Sequence, residues 1–208
     1  MQIAVMVLGA LSEAIGWRFV ATGRARVWRL MPVVLLAMGV AAVLARPPVA
    51  ASKVGDDLAL VIGIGAGLGL YVATRLFVAV AGRWKPFRRD VVEKYQEAAE
   101  VPLGEALALS LLIMVPAEEL FWRGLFQARL EQSLVAAAAG IWTWLAYVGA
   151  NAASGSQPII AGALVGGALW TGLAVWSGGV LASLVSHMLW TGLMLALPPG
   201  AGRGGRTE

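Results

Sequence analysis

The sequence predicts an all-α polytopic membrane protein, a bundle of about seven transmembrane helices. Two observations carry this. Of the 208 residues, 59% are hydrophobic and only 13% charged, whereas a soluble domain holds about 45–50% apolar and about 25% charged residues. The apolar residues also gather in runs of about 20, the length that crosses a bilayer as a helix at about 1.5 Å per residue. These runs leave no room for a separate water-soluble domain.

The runs, in order, are Met1–Trp17, Leu30–Ala45, Leu58–Gly82, Leu103–Phe121 or beyond, Leu134–Asn151, Ile159–Val175 and Gly178–Leu197. The first resembles a signal peptide in position. It lacks a basic start and carries Glu13 in its apolar part, so it reads as a retained helix. Between the third and fourth runs, Trp84–Glu100 mixes charged residues with Phe87, Val91, Val92 and Tyr95. That pattern fits an amphipathic helix on the membrane surface or a solvated connector. The chain thus divides into N-terminal helices with their connector (1–100), a core (101–197) and a disordered tail (198–208).

Charge placement sets orientation. Arg18, Arg24, Arg26 and Arg29, then Arg83, Lys85, Arg88, Arg89 and Lys94, then Arg203 and Arg206 fall on one side of a seven-span bundle. Arg46, Lys53, Arg123 and Arg129 fall on the other, and Arg75 lies within a span. The N-terminus is expected outside and the C-terminus in the cytoplasm, across a bacterial cytoplasmic membrane. The net charge of +4 follows from these loops. No basic stripe or aromatic platform argues for nucleic acid. With no cysteine, disulfides and Cys-ligated metals are excluded.

Gly63, Gly65, Gly67 and Gly69 lack the strand and third glycine of a dinucleotide loop. Spaced four apart as Gly63/Gly67 and Gly65/Gly69, they suit close helix packing. Gly162, Gly166 and Gly167 are expected to act alike.

Ionisable groups inside apolar spans cost about 2.5–3.5 kcal/mol each on insertion scales, which makes each a functional candidate. From Gln132 to Gly202 there is no Asp, Glu, Lys or Arg, and the one imidazole there is His187, the only histidine in the chain. Ser183 and Thr191 stand four residues either side of it, making a polar stripe. The alternative for His187 is an interhelical hydrogen bond without catalytic role. The other cluster is Pro116-Ala117-Glu118-Glu119-Leu120-Phe121-Trp122-Arg123-Gly124. Helical neighbours diverge by about 100°, so Glu118 and Glu119 cannot share one task. Glu119 and Arg123 lie four apart on one face and can pair, either within the site or as an interfacial salt bridge at a helix end. Glu118, left to another neighbour and partly desolvated, suits a general base.

The segment Glu118-Glu119-Leu-Phe-Trp-Arg123-Gly124-Leu-Phe-Gln127 resembles the first motif, Glu-Glu-x-x-x-Arg, of the CPBP family of intramembrane proteases (CAAX prenyl endopeptidases and bacteriocin-processing, or Abi, enzymes). Ser186-His187-Met-Leu-Trp190-Thr191 is similar to its last motif, which has His and Asn four apart. Tyr147-Val-Gly-Ala-Asn151 matches the spacing of its aromatic-x-x-x-His motif. The resemblance spans about Leu103 to Leu197 and implies that 101–197 is a catalytic core. It implies an intramembrane endopeptidase in which Glu118, helped by His187, activates water with or without a divalent metal such as zinc. Glu119 and Arg123 would hold the geometry. The substrate would be a hydrophobic or lipidated peptide met within membrane lipid. Two positions depart from the pattern: Asn151 replaces a histidine and Thr191 an asparagine. Asn151 can orient water but cannot take its proton. Thr191 can still donate to an oxyanion. A His-rich zinc site is impossible with one histidine, leaving Glu118 and His187, with Asn151, as metal candidates. The competing reading is a catalytically weak or inactive member acting as a membrane scaffold, immunity protein or partner-binding subunit. A transporter or channel would show internal repeats, and none is visible.

Overall fold

The computed structural model describes residues 1–45 and 53–199. Arg46, Arg203, Arg206 and the tail from residue 200 onward lie outside the described residues, so the orientation argument rests there on sequence alone. Eight helices and no strand are found among the described residues. They are α1 (Gln2–Ala21), α2 (Val27–Leu44), α3 (Asp56–Ala81), α4 (Lys85–Ala98), α5 (Leu103–Leu130), α6 (Ala136–Ala152), α7 (Gln157–Ser177) and α8 (Leu181–Ala196). Each of the seven apolar runs forms a helix. The all-α membrane bundle is therefore the architecture of the chain.

By length and apolarity α1, α2, α3 and α7 qualify as membrane spans, with α4–α5 a fifth if that pair, bent by 95°, counts as one. The remaining two runs form shorter helices, α6 of 17 and α8 of 16 residues. At 1.5 Å per residue these reach about 24–26 Å, short of the ~30 Å hydrocarbon core. The count of full-length spans is thus lower than the count of apolar runs. Leu8, Val33, Val61 and Leu76 are exposed, a lipid-facing coat that water would not tolerate over such an extent.

Glycines set how closely the helices approach. A Cβ on Gly63 would lie 2.7 Å from the Ala182 carbonyl oxygen and one on Gly67 2.9 Å from that of Ser186. Those two glycines thus seat α3 directly on α8. Gly65 and Gly69 have nothing within 4 Å: a helix presents its i, i+4 pair to one neighbour only, and this second pair points away. A Cβ on Gly39 would lie 2.8 Å from Ala117, so this glycine lets α2 pack closely on α5 beside the candidate carboxylates. Gly166 and Gly167 accept the rings of Trp170 and Tyr147, whereas Gly162 makes only ordinary contact with Trp190.

The amphipathic connector packs one face on the bundle and leaves the other exposed. Phe87 and Val91 of α4 are buried, Phe87 meets Phe77 edge-on at 5.5 Å, and Trp28 Nε1 donates to the Glu97 carbonyl oxygen at 2.9 Å. Helix α4 therefore closes one end of the bundle, with Lys85, Arg88 and Arg89 on its outer side.

Candidate active site

The site is built on an irregular helix. Within α5 the backbone widens to π-type turns at Ser110–Met114 and again at Leu120–Gln127, with Val115–Glu119 regular between them. Pro116 supplies no N–H, so the ladder of backbone bonds is already interrupted there. Such widened turns recur at functional sites because they re-aim side chains. Here they bury Glu118, Glu119, Trp122, Arg123 and Gln127 together.

The two adjacent carboxylates flank one imidazole. Glu119 Oε1 accepts from Arg123 at 3.0 Å and lies 2.9 Å from His187 Nδ1. Arg123 also donates to the Gly167 carbonyl oxygen at 3.3 Å and lies over the Tyr147 ring at 4.8 Å. Glu119, bound to a guanidinium, is the acceptor in both contacts, so His187 presents its Nδ1–H and keeps a bare lone pair on Nε2. That Nε2 stands 3.9 Å from Glu118 Oε2. Trp170 stacks on the imidazole at 3.5 Å and 16°, fixing its plane. The sequence predicts a different neighbour for Glu118 than for Glu119, but both face His187, through its opposite nitrogens.

Glu118, Asn151, His187 and Thr191 all line one cavity of about 570 Å³. Its wall continues past Trp190 and Met194 to Phe87, Val91 and Glu97 of α4. By helical rise Glu118 lies about 22 Å from Leu103, which is deep in the bundle. The cavity runs from that depth to the end covered by α4. Glu119 and Arg123 do not line it; they stand behind His187.

Asn151 is placed by a residue that the sequence pattern did not bring to the site. Its Nδ2 donates to Glu13 Oε1 and to the Tyr147 carbonyl oxygen, both at 3.0 Å. Both amide hydrogens are thus spent on acceptors, leaving Oδ1 for the cavity. Glu13, wholly buried in α1, also accepts from Trp122 Nε1 at 2.9 Å. An acidic residue inside an apolar span was the available signal.

As metal donors, only Glu118 and His187 converge. Glu119 is engaged by Arg123 and Glu13 by Trp122 and Asn151. Among the described residues no set of three or more His, Cys, Asp or Glu is placed to hold a metal. Catalytic zinc takes three protein ligands, so the residues present do not fit one.

Residues 102–193 match the family model described as Rce1-like, type II CAAX prenyl endopeptidase. The match encloses Glu118, Glu119, Arg123, Asn151, His187 and Thr191, and it agrees with the CPBP resemblance of these motifs. No curated protein and no solved structure matches the chain.

Proposed function

We propose that this chain is an intramembrane endopeptidase of the CAAX-protease type that cleaves a hydrophobic or lipidated peptide. The observation that carries the reading is the 3.9 Å separation of Glu118 Oε2 and His187 Nε2 on the wall of one cavity. A carboxylate and a bare imidazole nitrogen are both acceptors. The small molecule that satisfies both is a donor of two hydrogens, namely water.

Glu118 takes one proton as the water oxygen bonds to the peptide carbonyl carbon. The carbonyl oxygen becomes an oxyanion, to which the Thr191 hydroxyl donates. Glu118 then gives the proton to the departing amine as the C–N bond breaks, which yields an acid and an amine and restores the carboxylate. Glu119 fixes the His187 tautomer, and Arg123 balances the Glu119 charge. Asn151 Oδ1 accepts from water or from a peptide N–H. The apolar wall at Phe87, Val91, Trp190 and Met194 suits a greasy substrate segment. The basic residues outside α4 support a cytoplasmic location for this end, and with it a cytoplasmic C-terminus in a bacterial membrane.

Asn151 favours a second reading, a partner-binding member without peptidase activity, because an amide cannot act as a base. Purified protein in proteoliposomes, given a lipidated peptide, separates the two. Cleavage by wild type and its loss in Glu118→Gln and His187→Ala support the peptidase. Equal product from all three, or none from any, discards it.

A further inference from the structure

Helix α1 lies outside the family-matched segment 102–193, yet it sends a carboxyl group into the site. Glu13 is wholly buried in a helix whose outer face is apolar. Its contacts run to two of the three helices that carry the site: to Trp122 of α5 at 2.9 Å and to Asn151 of α6 at 3.0 Å. Glu118, four residues before Trp122 on α5, lines the same cavity as Asn151. Burying such a group is destabilising compared with an apolar residue of its size. A purely packing role for α1 does not call for it, since Met6 and Gly9 already seat α1 in the core.

We propose that Glu13 is a positioning residue for the reaction, holding Asn151 in register beside Glu118 at the point where the second motif would have a histidine. Asn151 reaches the cavity, and Glu13 fixes which way its amide points. Both donors facing Glu13 require an acceptor. A glutamine at position 13 offers one acceptor oxygen and one NH2, so either Trp122 or Asn151 then meets a donor. An aspartate keeps both acceptors on a shorter stem.

The proposal rests on the peptidase reading, and its test has an arm that does not. In proteoliposomes, Glu13→Gln is expected to lower kcat up to about 100-fold, the cost of a misplacement of about 1 Å at the reacting centre, with KM unchanged. Glu13→Asp is expected to keep more of kcat than Glu13→Gln. A shape-filling role predicts the reverse order, since Gln is the isostere. The independent arm is labelling of Glu118 by a hydrophobic carbodiimide, across whose C=N bond a carboxyl O–H adds (proton to nitrogen, oxygen to carbon), read by peptide mass spectrometry. Glu13→Gln should change the Glu118 labelling rate several-fold. If Glu13→Gln does not fold, Trp122→Phe removes one donor from Glu13 and should change that rate in its place. Unchanged labelling overturns the proposal, even where wild type cleaves. Changed labelling in a protein that cleaves nothing supports the Glu13–Glu118 link and discards the peptidase reading instead. Glu13→Gln milder than Glu13→Asp overturns the positioning role.

Discussion

Replacing Arg123 by Met keeps an unbranched apolar stem and removes the guanidinium from a wholly buried pair. The Arg123 and Glu119 side chains are 0% and 1% exposed, and the bridge is 3.0 Å long. After the change Glu119 keeps only His187 Nδ1, and a carboxylate remains in a low-dielectric interior. Breaking one side of such a pair costs about 3–5 kcal/mol, or about 10²–10⁴ in the unfolding equilibrium at 1.4 kcal/mol per tenfold. Against a total stability of about 5–15 kcal/mol that is a large share. The Lys94–Glu97 bridge is the internal control. It is shorter, at 2.6 Å, but 24% and 29% exposed, so screening leaves it about 0–1 kcal/mol. Equilibrium unfolding in mixed micelles, followed by tryptophan fluorescence, compares Arg123→Met with Lys94→Met. Replacing both members of the buried pair, as Glu119→Leu with Arg123→Met, should cost less than the sum of the two single changes. A cost below about 1 kcal/mol for Arg123→Met, matching Lys94→Met, would refute the reasoning that burial rather than bridge length sets the value.

Further outcomes follow from the same geometry. Gly63→Val is expected to lose about 1–3 kcal/mol through overpacking against Ala182, while Gly65→Val, which meets nothing, stays within about 0.5 kcal/mol of wild type; melting in detergent measures both. Thr191→Val should lower kcat about tenfold or more by removing the oxyanion donor, and Thr191→Ser should keep most of it. Exhaustive chelation should leave peptide cleavage within about twofold, because two converging donors are fewer than the three a catalytic zinc takes; a loss restored by added zinc would contradict the assignment of donors.

How much of this was legible in the sequence depends on the range of the interaction. Helix positions follow from apolar runs, and Glu119 pairs with Arg123 because four residues of helix bring them together. Glu118 and His187 are legible as costly groups in an apolar setting, and they meet in space as that cost suggests. Glu13 satisfied the same criterion. Its partners Trp122 and Asn151 lie on other helices, and no local spacing links position 13 to 122 or 151. The fate of the four glycines on α3 was equally hidden, since both pairs have the same spacing and only the placement of α8 chooses Gly63/Gly67. The widened turns around Glu118 have Pro116 as a local hint, but their extent depends on packing against α2 and α8. The short length of α6 and α8 was hidden because hydropathy marks apolar residues and not where a helix stops.

The central claim is that water held between Glu118 and His187 attacks the peptide directly. Single-turnover cleavage of a hydrophobic peptide in heavy-oxygen water, with mass analysis of the acid product, tests it. One heavy oxygen in the new carboxyl group from the first turnover, and no product from Glu118→Gln, is the predicted result. A first-turnover product without the label, or equal product from Glu118→Gln, would contradict it.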